Sequence, residues 1–173
     1  LLNITPDHLD RYQGEFARYA AAKERIAENQ GPVDAFIFNL DDPACAAIAG
    51  RLRHRPDAPA LLGFSMHRHP EAAAWVEGGW IHLEHPSRFG EDHALRERRS
   101  SGKTTESDGR IRRKSERLMP VEELALPGSH NLANALAAAL AARVSGLRLE
   151  AVLDSLRNFG GVPHRLETVR VLE

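Results

Sequence analysis

Asp34-Ala35-Phe36-Ile37-Phe38-Asn39, then Asp41-Asp42-Pro43 opening a run to Arg53, then Ala60-Leu61-Leu62-Gly63-Phe64-Ser65: this stretch decides the fold. The first run is short, apolar and preceded by Gly31-Pro32, so it reads as a buried strand. Asp42 before Pro43 marks a helix start. A carboxylate oxygen can take a free N–H of the first turn, and proline needs no donor there. The second apolar run is the next strand. Strand, helix and strand at this spacing form a βαβ unit, whose two strands run parallel because the chain crosses over between them.

The stretches on the C-terminal side extend this unit. Ala73-Ala74-Trp75-Val76 and Trp80-Ile81-His82-Leu83 flank Glu77-Gly78-Gly79 and read as a hairpin. Residues 96–117 are polar, with nine basic side chains against four acidic and so a local charge of +5. That segment reads as a solvated loop with short edge strands. No Phe, Trp or Tyr interrupts it, which leaves nothing to stack on bases. Further on, Leu132, Leu136, Leu140 and Val144 fall four apart and predict an amphipathic helix over 131–144, ended by Gly146. A second helix is predicted over 149–158, with Val152, Leu153 and Leu156 inward, before Gly160-Gly161-Val162-Pro163 breaks it.

On the N-terminal side, Glu15 to Asn29 holds no Pro or Gly and predicts a helix. Phe16, Tyr19, Ala20, Lys23 and Ile26 are expected to share its inward face. The fold class expected is therefore α/β: a mostly parallel sheet flanked by helices, with a small antiparallel hairpin extension.

The chain has 173 residues, 42% of them hydrophobic and 27% charged. This is the composition of a globular protein, and the length favours one domain that buries roughly 70% of its unfolded surface. A net charge of −1 excludes a global basic field for nucleic acid. No apolar run approaches the roughly 18 residues of a membrane-spanning helix. Cys45 stands alone, which excludes an internal disulfide and a Cys-rich zinc site and points to a reducing compartment such as the cytoplasm. Leu1-Leu2-Asn3-Ile4 reads as the end of a strand, and residues 168–173 alternate polar and apolar. The expectation is a piece of a longer protein.

Ser101-Gly102-Lys103-Thr104-Thr105 imitates a phosphate-binding loop but fails its requirements. The loop needs a second glycine five residues before Gly102, where Glu97 stands, and a buried strand before it, where Leu95-Arg96-Glu97-Arg98-Arg99 is charged.

Three clusters carry possible chemistry. In Thr5-Pro6-Asp7-His8-Leu9-Asp10-Arg11, a nearby carboxylate can fix the tautomer of His8 for a metal, although a loop histidine is more often simply solvated. Lys23 on an inward face would lose hydration, which favours the neutral amine. Such an amine can react with carbon dioxide to give an anionic oxygen ligand for magnesium. A buried stem with a paired ammonium is the plainer reading. In the third cluster, Ser129 or His130 opens a helix, where free N–H groups favour anions. Asn131 and Asn134, three apart, present two amides on one face. Two amides can read a purine edge, and Arg165 beyond the Gly-Gly turn can clamp a phosphate. N-capping by Asn131 and an ordinary surface Arg165 fit equally well.

Taken together, Leu2-Asn3-Ile4-Thr5-Pro6-Asp7-His8-Leu9-Asp10-Arg11-Tyr12, Ala20-Ala21-Ala22-Lys23-Glu24-Arg25-Ile26, the run from Leu126 to Leu136, and Gly161-Val162-Pro163-His164-Arg165-Leu166-Glu167 resemble the central domain of the Mur ligases, in the family's order. The combination is most similar to members that add D-glutamate. The match covers residues 1–43 and 118–167.

The resemblance implies an ATP-dependent amide ligase of peptidoglycan precursor synthesis. Such an enzyme activates UDP-N-acetylmuramoyl-L-alanine as an acyl phosphate and adds D-glutamate. It implies that His8 binds Mg2+, that Lys23 is carbamylated and helps hold that ion, that Asn131 and Asn134 contact the adenine region, that His164 lies near the base and that Arg165 reaches the phosphates. The family's phosphate loop, N-terminal UDP-binding domain and C-terminal domain have no counterpart in the 173 residues. The chain is therefore expected to be a partial central domain, inactive alone, whose partners are those missing domains and the substrates. Neither nucleic acid nor membrane is an expected partner. Alternatives are another Mur ligase, a folylpolyglutamate-synthase-like ligase, against which the Pro-His-Arg run argues, and a non-catalytic domain of the same fold. A nucleic-acid module on the basic segment would show salt-dependent DNA binding.

Overall fold

The computed structural model describes residues 1–7, 9–84 and 115–161. The deciding stretch folds as expected. β1 is Ala35–Asn39, α2 is Pro43–Leu52 and β2 is Ala60–Ser65, with β1 and β2 paired in parallel from Ala35↔Ala60 to Asn39↔Phe64. Asp42 caps α2 by accepting the Cys45 N–H at 2.8 Å, and it also accepts the Ile4 N–H at 3.2 Å. One carboxylate thus starts the helix and holds the segment that runs beside the tip of β1.

β3 (Ala72–Glu77) and β4 (Trp80–Glu84) form the expected hairpin. Its two-residue turn, Gly78-Gly79, has φ of 57° and 76°, the doubly left-handed turn that matches strand twist and favours glycine at both places. β5 (Ser115–Pro120) pairs antiparallel with β4 and, among the described residues, is the edge strand at the end of the polar segment. The rest of that segment, with the rejected Gly102-Lys103-Thr104 motif, lies outside the described residues.

β2 and β3 are also parallel neighbours, although only residues 66–71 separate them. Parallel neighbours normally need a longer crossover. Here β3 begins opposite Gly63, so the chain retreats only a short way before pairing with the end of β2. Among the described residues the sheet order is β1-β2-β3-β4-β5, and four of these five strands point the same way, β4 alone running opposite.

Helices cover both faces. Phe36 and Phe38 point to one face and pack with Cys45, Ile48, Ala49 and Leu52 around α2. Ala35 and Ile37, alternating with them, point to the other. There Leu62, Phe64, Ile81, Leu83 and Met119 meet α3 (Ser129–Val144) and α4 (Leu149–Asn158) through Leu136, Ala139, Leu140 and Val152. α3 starts two residues before the expected helix, after Gly128 at φ 103°. It ends in a closed turn with Gly146 at φ 79°, where Leu147 N–H donates to the Ala142 carbonyl and Gly146 N–H to that of Arg143.

The N-terminal helix departs from expectation. α1 spans Phe16–Glu24 and gives way to a 3-10 turn at Arg25–Ala27. No residue of α1 is buried. The inward side is formed by partly buried Tyr19 and Ala20 and, beyond the helix, by buried Ala27. Glu24 meets the Arg51 guanidinium of α2 in a two-pronged contact at 2.6 and 3.0 Å. That tether and the small alanines turn the helix so that Ile26 is 61% exposed.

Candidate functional site

Leu124, Leu126, His130, Asn131, Asn134, Ala135, Ala138, Ser155, Leu156, Phe159 and Gly161 line a cleft of about 610 Å³ between α3, α4 and the segment that enters α3. Most of that lining is apolar; His130, Asn131 and Asn134 bring polar side chains from the start of α3, and Ser155 brings one from α4. Asn131 and Asn134, three apart on one helix, both open into it, as their spacing foretells.

Asn131 does not cap the helix. The N-cap is Gly128, which has no side chain to offer. Asn131 instead donates its Nδ2–H to the Pro127 carbonyl at 2.7 Å. This bond orients the amide and leaves its Oδ1 as an acceptor for a ligand. Asn134 is exposed and also lines a shallower cleft of about 450 Å³ with Leu1, Leu2, Ile37, Ala137, Ala138 and Ala141. The walls of this second cleft are positioned by β1, because Asn39 donates its N–H to the Leu1 carbonyl at 3.1 Å and its side-chain amide to the Leu2 carbonyl at 3.0 Å. Asn134 thus stands where the two clefts meet.

Lys23 corrects an expectation. It is exposed, not inward-facing, and its ammonium lies 5.2 Å from the centroid of the Tyr19 ring. The turn of α1 described above places it beside the helix face that packs, and the ring offers it a cation–π contact. Among the described residues, no group of three or more His, Cys, Asp or Glu side chains is placed to hold a metal ion. His8, His164 and Arg165 lie outside the described residues.

At the tips of β1 and β2, Asp41 accepts the Ser65 Oγ–H at 2.7 Å and the Met66 N–H at 2.6 Å. Burial tends to raise the pKa of Asp42. The N–H groups of Cys45, Ile4 and Ala44 outweigh it and hold the carboxyl below its ordinary value. Cys45, fully buried and facing that carboxylate, has its thiol pushed up to about 12, first by burial and then by Asp42. A thiol so held is a packing residue, not a nucleophile.

Leu124 and Phe159, both in the cleft wall, belong to none of the three clusters that carry possible chemistry in the sequence. For Phe159 a signal existed: a large apolar residue placed between a helix end and Gly160-Gly161, off the stripe of Val152, Leu153 and Leu156.

Residues 1–142 match the family model of the Mur ligase middle domain. The chain is 37% identical over 98% of its length to a UDP-N-acetylmuramoylalanine–D-glutamate ligase from Pelotomaculum thermopropionicum, and 40% identical over 98% to one from Acidobacterium capsulatum. It is 38% identical over its whole length to one from Salinibacter ruber. It spans only 30 to 32% of those relatives. Among solved structures, a UDP-N-acetylmuramoyl-L-alanyl-D-glutamate–2,6-diaminopimelate ligase aligns with a TM-score of 0.63 and 22% identity, over 99% of this chain and 30% of the other. That likeness bears on the fold alone.

Proposed function

The chain belongs to the Mur ligase middle-domain family, and from that premise we propose that it is the central, nucleotide-holding domain of an ATP-dependent ligase that joins D-glutamate to UDP-N-acetylmuramoyl-L-alanine. The observation that carries this reading is the cleft in which Asn131 and Asn134 converge over apolar walls. Its volume and lining suit a planar heterocycle, with apolar sides for the ring faces and few polar groups for its edge. The Oδ1 of Asn131, oriented by Pro127, accepts from an exocyclic amine such as that of adenine. The names of relatives at 37 to 40% identity support the choice of D-glutamate.

In this reading the phosphate loop, the domain that grips the UDP moiety and the domain that brings the amino acid belong to the rest of the protein. The cytoplasm, where these precursors are made, is the working compartment. Two ligands to the metal are assigned by family resemblance: His8 and a carbamylated Lys23. Magnesium, when bound, neutralises charge on the phosphoryl oxygens as the substrate carboxylate is activated. Asn131 and Asn134 bind and orient the base, so they set nucleotide affinity and not the chemistry of amide formation.

The test is steady-state kinetics on the full-length ligase. Asn134→Ala raises the KM for ATP roughly tenfold, the loss of one or two hydrogen bonds, with kcat nearly kept. The 173 residues alone incorporate no labelled D-glutamate. An unchanged KM for ATP, or ligation by the isolated segment, contradicts the reading.

A further inference from the structure

Phe159 is a member of the cleft wall that neither the fold nor the proposed amide contacts use. It directly follows α4, and its N–H donates to the Ser155 carbonyl at 2.9 Å, so its backbone is held. Its side chain is nonetheless 53% exposed. An aromatic ring that could bury a large apolar area, yet stays open beside an apolar wall, has an unused face. Among the described residues Phe159 pairs with no other ring, whereas Phe16, Phe36 and Phe38 each do. The α4 side of the cleft offers little polar recognition. Ser155 gives its hydroxyl proton to the Ala151 carbonyl at 2.8 Å, and Leu156 is apolar. One side of the cleft thus offers a flat apolar surface, and the α3 side offers amides.

We infer that Phe159 is the ring on which the purine of the nucleotide stacks, while the amides of α3 meet the edge of the base. This rests on the nucleotide reading above. Stacking is sequence-tolerant because every base has a π-face, so Phe159 supplies affinity and the amides supply discrimination.

The experiment measures equilibrium binding by calorimetry on the full-length ligase, with ATP and with ribose 5-triphosphate, which lacks the base. Phe159→Leu should weaken ATP about tenfold, in the range of one base–aromatic stack. It should leave the base-free triphosphate unchanged, and Phe159→Trp should bind ATP at least as tightly as the natural protein. ATP binding unaltered in Phe159→Leu, or weakened equally for both ligands, overturns the inference. If Phe159→Leu does not fold, weaker ATP binding by folded Phe159→Trp overturns it instead. Asn134→Ala in the same series separates the two claims. If it binds ATP normally, the nucleotide reading fails. If it weakens ATP while Phe159→Leu does not, only the stacking assignment fails.

Discussion

Lys23 occupies an open position, with its ammonium over the Tyr19 ring and its neighbour Glu24 engaged by Arg51. Removing a side chain so exposed costs little stability, within about 0.5 kcal/mol. Any large effect of its removal therefore reports on function. If Lys23 becomes a carbamate that holds magnesium, Lys23→Ala in the full-length ligase lowers kcat by about a hundredfold or more, the upper range for disturbing a metal site. A small carboxylate such as formate restores part of the rate. Phosphate release at saturating ATP measures both effects, and wild-type turnover in the variant removes Lys23 from the site.

At the scale of elements, the join between β1 and α2 rests on Asp42. Its carboxylate takes the Cys45 N–H at 2.8 Å and the Ile4 N–H at 3.2 Å. These bonds lower its folded pKa despite partial burial. The sign follows directly. A depressed carboxyl adds stability that is complete above the ordinary Asp value of about 3.9 and is lost as pH falls through the lowered folded value. Asp42→Ala destabilises by about 1 kcal/mol at pH 7, the cost of an N-cap. Asp42→Asn keeps an acceptor and costs less. Urea unfolding at pH 7 and again near pH 2.5 should show the gap between the natural protein and Asp42→Asn narrowing in acid. A gap that is constant with pH excludes the ionised cap as its source.

For the whole molecule, α3 is the element that binds function to fold. Its inner side places Leu136, Ala139 and Leu140 against the sheet, and its outer side carries Asn131 and Asn134. Leu136 is fully buried. Leu136→Ala lowers stability by about 2–5 kcal/mol through lost burial and the cavity left behind. Because the same helix positions the amides, ATP affinity should fall with it only as the folded fraction falls, which thermal unfolding with and without ATP reads out. ATP binding abolished in a fully folded Leu136→Ala would show that α3 shifts on the sheet.

The residues themselves carried much of this. The apolar runs 34–39 and 60–65, the Asp-Pro start of α2, the Gly-Gly turn and the four-residue leucine spacing of α3 are local signals, because strand period, cap chemistry and helix period are written between near neighbours. The pairing of Asn131 with Asn134 was legible for the same reason. Tertiary structure alone decided which side of α1 packs, since a tether to Arg51 and the small alanines outweigh a stripe containing Phe16, Lys23 and Ile26. It alone decided the parallel return of β3 onto β2, where the offset at Gly63 removes the need for a long crossover. It alone placed Phe159 in the same cleft as the asparagines. Those three outcomes depend on contacts between residues far apart in the chain, and no local period or cap encodes them.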